Sequence, residues 1–368
     1  MARVDRVVLA ELVGPLVGGI GLFTTLFFAA DGLQRITEYL QRGESAELIF
    51  KVVAYSLPTI LPYTVPMSML LGALLAFTRL SGDSELVALQ AAGIPFPRIV
   101  LPAALLALGL ALPMMWLNQS QVPRLAALRQ SAIEEARGNG GRKAGFDAFD
   151  MATSQDDNRR LVIHAEGGVR FEPGGNALLT GVQATLWEGD APQATVSART
   201  ARWKIGSRNW VLGDGVTSFD HRSLIGMRTP DSRLRELEMG TPDELRTLSR
   251  PVVEVGTDRL WQRARFRRST GDEAAAREAE VEIAKRYAFP LATVVFVLIG
   301  APLGIQPGRS GKGVGFGISV LLTFAYWTLL QIGMAMGKGG VLPPLLAAQL
   351  PNVVGVAGAL WLVRRTNG

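Results

Sequence analysis

The sequence predicts a membrane α-helical protein of six transmembrane helices with an all-β, jellyroll-like domain inserted between the third and the fourth. Three observations carry that prediction. Charged residues make up only 19% of the 368 residues, against about 25% in an ordinary soluble domain. The shortfall is local: six stretches long enough to cross a hydrocarbon core, about 20 residues at 1.5 Å each, are almost free of Asp, Glu, Lys and Arg. Between the third and fourth stretches lies a polar segment in which short alternating runs are separated by turn-forming clusters. The expected organisation is 1–119 for three spans, 120–280 for the external β domain with flanking helices, and 281–368 for three more spans.

The first span, residues 9–30, holds one acid, Glu11, near its start. A cleaved signal peptide is its rival reading, because Arg3 and Arg6 resemble a basic leader; the apolar run is long for one, and Phe28-Ala29-Ala30 lacks a small-x-small cleavage pattern. Residues 52–78 and 99–119 carry no charge, and neither do 288–306, 313–337 and 341–363. Lys and Arg in the short flanks set the orientation. With both termini cytoplasmic, the inside flanks hold Arg3, Arg6, Arg79, Arg98, Arg309, Lys312, Arg364 and Arg365, against Arg35, Arg42, Lys51 and Lys338 outside. This bias places the insert on the outer face, the periplasm of a diderm bacterium.

Within the insert, residues 160–165, 181–187 and 194–199 read as strands. Glu166-Gly167-Gly168, Pro173-Gly174-Gly175-Asn176, Glu188-Gly189-Asp190 and Gly213-Asp214-Gly215 carry turn chemistry. Short strands at this spacing indicate a sandwich, a jelly roll or an open β stack. Residues 121–137 read as a helix continuing the third span, Thr241-Pro242-Asp243-Glu244 as a helix start, and 273–286 as a charged helix leading into the fourth span.

Catalytic and metal signatures are missing from the sequence. With no Cys, disulfides, thiol catalysis and Cys-ligated metals are excluded. Gly308-Arg309-Ser310-Gly311-Lys312-Gly313 fails as a phosphate loop, since Gln306 stands where Gly is needed and Gly313 where Ser or Thr is needed. It also misses a nucleophile elbow at Lys312, and reads as a basic cytoplasmic turn. His164 and His221, the only two histidines, lie in the β insert without a second ligand pattern and read as strand residues. No Asp, Glu or His relay crosses the membrane. The chain is expected to be no enzyme and to bind no cofactor or metal. A net charge of +6 marks span edges rather than a nucleic-acid site.

The informative stretch joins the second and third spans. Asp83 or Ser84 is placed to cap a short helix with apolar residues at Leu86, Leu89 and Ala91, which Gly93 and Pro95 terminate. Such a helix suits docking into a groove of a cytoplasmic partner, or lies in the interface and turns the chain around.

The run Gly82-Asp83-Ser84-Glu85-Leu86-Val87-Ala88-Leu89-Gln90-Ala91-Ala92-Gly93-Ile94 resembles the coupling helix of the LptF/LptG permeases of the lipopolysaccharide-export ABC transporter, with Gln90 where family members often carry Arg. Arg286-Tyr287-Ala288-Phe289-Pro290-Leu291-Ala292 and Gly300-Ala301-Pro302-Leu303-Gly304 add to the resemblance, which covers essentially the whole chain. The resemblance implies a second permease of this type, a dimeric cytoplasmic ATPase holding ATP and Mg, periplasmic β-jellyroll bridge proteins and lipopolysaccharide as cargo, in the inner membrane. It implies that Glu85 is a charged contact to the ATPase and that Leu86, Leu89 and Ala91 pack into its groove. Arg35 and Arg42, after the first span, are then candidates for lipid phosphates, since guanidinium forks suit phosphate; a solvated flank is the other reading. Gly14 and Gly18 on the first span and Gly313, Gly315 and Gly317 on the fifth allow close helix approach, between permeases or within one subunit. Val182, Ala184 and Leu186 either line an open apolar groove or form the β core. Two other classes stay in view: a mechanotransmission subunit of another envelope-lipid or lipoprotein-release system, and a membrane scaffold without transport.

Overall fold

The computed structural model describes residues 2–138, 149–156, 159–172, 176–188, 191–204, 206–207, 209–221, 226–228, 236–239, 241–242, 245, 252, 255–269, 271–305 and 312–366. They form two compact units, Met1–Ala136 with Val281–Gly368, and Arg137–Glu280.

The first unit is a helical bundle. Its helices are α1 (Ala2–Phe27), α2 (Leu33–Gln41), α3 (Ala46–Gly82), α4 (Glu85–Ala91), α5 (Phe96–Trp116), α6 (Val122–Gly138), α8 (Glu273–Gly304), α9 (Lys312–Lys338) and α10 (Pro344–Thr366), with α7 (Thr257–Ser269) belonging to the second unit. Among the described residues six stretches are long and apolar enough to cross a membrane: Val4–Gln41, Ala46–Gly82, Phe96–Ile133, Glu273–Gly304, Val314–Lys338 and Pro344–Arg364. The six expected spans are therefore present, and several are much longer than the core of a bilayer. The first and third gain length through π turns at Phe28–Gly32 and Leu117–Gln121, which no hydropathy pattern announces. The loop segment Arg309 to Gly311 lies outside the described residues.

Helix α3 is the hub. Its face carrying Met69, Ala73, Ala76, Phe77 and Leu80 is buried with Val8, Leu12 and Leu16 of α1, Ile99 and Ala103 of α5, and Val297 and Ala301 of α8. Leu70 and Leu74 pack with Phe289 and Phe296 of α8 and with Tyr326 and Leu330 of α9. Close approach explains the family-like glycines at the end of α8. A Cβ on Gly304 would meet the Leu74 carbonyl and Phe77 Cβ at 2.9 Å, and one on Gly300 would meet Ala73 Cβ at 3.0 Å. Three prolines, Pro58, Pro62 and Pro66, lie inside α3. Hydroxyls of Ser56, Thr59 and Ser68 donate to carbonyls in the same stretch at 2.6–2.7 Å, which is how a membrane helix tolerates interruption of its own ladder.

One polar node fastens three spans. Asn352 of α10 donates to the Ala288 carbonyl of α8 at 3.0 Å and accepts from Tyr326 Oη of α9 at 3.1 Å, all buried. Asn352→Leu is expected to leave the Tyr326 hydroxyl and the Ala288 carbonyl without this partner. The cost should be about 1 kcal/mol, the scale of interhelical hydrogen bonds in membranes, read as a lower unfolding midpoint in detergent.

Among the described residues of the second unit eight strands form one antiparallel sheet: β1 (Phe149–Asp156), β2 (Arg159–Phe171), β3 (Ala177–Glu188), β4 (Ala191–Trp203), β5 (Asn209–Gly213), β6 (Thr217–Asp220), β7 (Gly226–Arg228) and β8 (Glu236–Glu238). The three expected strands fall inside β2, β3 and β4. Two of the four expected turns fall on residues 173–175 and 189–190, outside the described residues; the strands flanking them pair antiparallel, with Phe171 facing Ala177 and Glu188 facing Ala191. The other two are corrected to irregularities within running strands. Glu166-Gly167-Gly168 lies inside β2, where the register shifts between Gly167 and Arg170. At Gly213-Asp214-Gly215 the chain does not reverse, because β5 and β6 both pair antiparallel with β4, at Thr200–Trp203 and Ala194–Ser197. Positive φ at Asp214 (45°) and Gly215 (68°) takes up the extra residues, and the Arg199 amide donates to the Asp214 carbonyl at 3.0 Å.

Among the described residues β5 and β6 both pair with β4, β7 pairs with β6 and β8 with β5, one antiparallel sheet in keeping with the predicted all-β insert. The core lies on one face, with Ile163, Leu179, Val182, Ala184, Val196, Ala201, Trp210 and Leu237 buried and Leu186 partly buried against them. Val182 and Ala184 are thus core residues, and the groove reading of these positions is corrected. His221 Nε2 is 2.9 Å from Thr195 Oγ1; His164 sits in β2 opposite Gln183. Helix α7 was not expected. Leu260 and Ala264 bury it, and Arg267 and Arg268 bind Asp272 and Glu280 at 2.8 and 2.7 Å. Burial and the neighbouring Arg267 push the Arg263 guanidinium down to about 10, with Glu278 and Asp272 pulling it back.

Candidate functional site

Helix α4 occupies the corner between α3 and α5. Only Asp83 and Ser84 separate it from α3, and reversal in so few residues forces Ser84 into the left-handed region (φ 60°), where its side chain makes no cap bond. The expected side-chain cap is therefore not made, and the helix opens on its ordinary first backbone bond, from the Ala88 amide to the Ser84 carbonyl at 3.0 Å. Asp83 instead turns toward Arg79, with Nε–Oδ2 3.6 Å. The other end stops where expected. Gly93 has φ +82°, its amide donates to the Gln90 carbonyl at 2.9 Å, and the Ile94 amide donates to the Leu89 carbonyl at 3.1 Å. Together these bonds form a Schellman motif.

The helix divides into two faces. Leu86 is buried with Phe77, Leu80, Phe96 and Ile99, and Leu89 and Ile94 pack against the same cluster. Leu86, read as a partner contact, is corrected: it holds α4 to α3 and α5 and leaves nothing for a groove elsewhere. Glu85, Val87, Ala88, Gln90 and Ala91 are exposed, with Val87 at 60%. A charged residue beside a flat patch of small apolar side chains is a surface suited to a shallow protein groove.

Arg79 and Arg98 enter the sequence reading only as flank charges; the structure pairs both with α1. Arg79 Nη1 lies 2.8 Å from Glu11 Oε2, and Arg98 forks both carboxylate oxygens of Asp5 at 2.7 and 3.1 Å.

At the opposite end of α3, a cleft of about 60 Å³ is lined by Phe28 and Gly32 of the first π turn, Arg35, Ile36 and Tyr39 of α2, Ser56 and Thr59 of α3, and Arg129 of α6. Of the two predicted basic residues only Arg35 lines it. Arg42 is exposed beside Glu38 at 3.8 Å. Arg129 is the residue the sequence reading missed; a helix over 121–137 was legible, its facing Arg35 was not. Two guanidinium groups beside an aliphatic wall are chemistry for an anionic headgroup, while the Ser56 and Thr59 hydroxyls stay bonded to carbonyls of α3.

The glycines also separate. Nothing lies within 4 Å of a Cβ added at Gly14, Gly18, Gly21 or Gly317. Packing within the subunit therefore does not account for them. A Cβ on Gly315 would meet Leu75 Cδ2 at 3.1 Å, and the surroundings of Gly313 lie outside the described residues.

Six spans divided three and three along the chain by an antiparallel β unit, with a short helix held at the corner between the second and third, define a multi-pass membrane protein with an inserted β domain. The chain belongs to the family described as lipopolysaccharide export system permease LptF/LptG, which it matches over residues 6–365. It is similar to the lipopolysaccharide export system permease protein LptG of Escherichia coli K12, 23% identical over 313 residues that cover 84% of this chain and 83% of that protein. The LptG of Haemophilus influenzae is 23% identical over 368 residues, covering 94% of this chain and 95% of that protein.

Proposed function

We propose that this chain is a permease subunit that extracts lipopolysaccharide from the outer leaflet of the bacterial inner membrane and passes it to a periplasmic β-jellyroll bridge, driven by ATP hydrolysis on a separate cytoplasmic ATPase dimer. Family membership over nearly the whole chain carries the reading. ATP and Mg belong to the partner. Both termini and α4 are cytoplasmic by the Lys and Arg bias, and the β unit is periplasmic. Withdrawing acyl chains from a bilayer costs about 0.8 kcal/mol per CH₂, so a lipid with several chains needs an energy source. The exposed face of α4 supports docking of that source. The open glycines Gly14, Gly18 and Gly21 of α1 and Gly317 of α9 support pairing with a second permease. β1 pairs only with β2 among the described residues, and such an edge accepts a strand from a bridge protein.

The test is isolation from native membranes with mass analysis of what accompanies the chain. An ATPase, a second permease and lipopolysaccharide are expected; recovery with none of them would sink the reading, and a lipoprotein in place of the lipid would favour the release systems. For the cleft, Arg35→Gln with Arg129→Gln is expected to cut lipopolysaccharide recovery at least tenfold, since a hydrogen bond to a charged group contributes about 1.5–3 kcal/mol. Arg42→Gln, outside the cleft, should change it little.

A further inference from the structure

Helix α4 is followed and preceded by helices that each carry one arginine close to the corner: Arg79, one turn before the end of α3, and Arg98, in the first turn of α5. Both reach the same third helix. Arg79 Nη1 binds Glu11 at 2.8 Å and is also the neighbour of Asp83 at the corner. Arg98 grips Asp5 through both oxygens, with side chains only 28% and 35% exposed. Asp5 and Glu11 are six residues apart on α1, about 9 Å along its axis and roughly two thirds of a turn round it, so the end of α1 is held from two directions. Between and beyond them Val8, Leu12 and Leu16 are buried in the common core. At Gly14, Gly18 and Gly21 of α1 no described residue lies within 4 Å of an added Cβ.

We infer that Asp5–Arg98 and Glu11–Arg79 are positioning pairs that carry a displacement of α4 into α1, the helix whose free side faces a partner or the lipid. The inference rests on the proposed function, in that the displacement is delivered by the ATPase. Apolar side chains can slide past one another at small cost, whereas the forked Asp5–Arg98 pair fixes distance and angle together, and Glu11–Arg79 adds a single bond on the other side of α1. Motion at the corner thus rotates or draws the end of α1 as a body. Removing the pair leaves α1 packed on α3 through its apolar face, so the bundle persists while the transmission slackens.

The experiment uses the complete transporter in proteoliposomes and measures lipopolysaccharide extracted and ATP hydrolysed in the same sample. Asp5→Asn and Arg98→Gln are each expected to keep the ATPase bound and hydrolysing while extraction per ATP falls at least fivefold. The exchange Asp5→Arg with Arg98→Asp is expected to restore at least half of the ratio. Because the chain has no Cys, a fluorophore on Val13→Cys, an exposed position of α1, gives a second readout. Its signal should change on addition of a non-hydrolysable ATP analogue in the parent protein and stay flat with Asp5→Asn. An unchanged ratio, or a fluorophore that responds equally with and without the pair, overturns the inference while leaving the transport function standing. A loss of extraction in strict proportion to lost ATPase binding overturns it too, since the pairs would then merely hold the corner together. Absence of any ATPase from the parent preparation defeats the proposed function and this inference with it.

Discussion

Replacing Glu85 with lysine is expected to reduce recovery of the ATPase with the permease at least tenfold and to stop lipid export, while the permease itself folds as before. Glu85 is the single charge on the exposed face of α4, which otherwise presents Val87, Ala88, Gln90 and Ala91. Reversing the one charge on so small a patch juxtaposes like charges across the contact, which costs several kcal/mol of complex stability. The fold barely notices, because α4 is anchored by Leu86 and by the Schellman closure at Gly93. A positive charge in the first turn of a helix costs only about 0.3–1 kcal/mol. Glu85→Gln should give a smaller loss. Leu86→Ala is the informative contrast: it empties a buried site and should cost about 2–5 kcal/mol, lowering the unfolding midpoint and ATPase recovery together. Copurification read beside thermal unfolding separates the two. Wild-type ATPase recovery with Glu85→Lys would remove α4 from the docking surface.

The contrast between Glu85 and Leu86 also shows where sequence reading stops. Periodicity identifies that Leu86 and Leu89 share a face, but it cannot say whether that face meets another protein or the body of the chain itself. The spans were legible because hydrocarbon demands long uncharged runs. The π turns at Phe28–Gly32 and Leu117–Gln121 were not, since they change the bonding pattern without changing composition. In the β unit Gly213-Asp214-Gly215 misled for a definite reason: turns and bulges both use residues that adopt positive φ, and only strand pairing tells a reversal from a kink. Arg129 beside Arg35, and Glu11 beside Arg79, depend on helix packing between residues far apart in the chain. Nothing in the linear order connects them.

Placing leucine at both Gly14 and Gly18 is expected to yield a folded permease that no longer pairs with a second one. Both positions are open, with nothing within 4 Å of an added Cβ, and Val13 and Val17 beside them are 46% and 63% exposed. The new Cβ atoms therefore press on no described residue of the subunit. Against a partner helix they fill the shallow face along which two backbones would approach, where packing rather than solvent drives association. Recovery of the second permease should fall at least tenfold at an unchanged unfolding midpoint. Gly304→Ala should behave in the opposite way, lowering the midpoint, because its Cβ would press on the Leu74 carbonyl and Phe77 Cβ at 2.9 Å. Full pairing by the double leucine variant would mean that this face of α1 meets lipid alone. Helix weakening cannot imitate the expected loss, since leucine favours a helix over glycine by nearly 1 kcal/mol per residue. A variant with a stronger α1 and no partner therefore assigns the glycines to the contact itself.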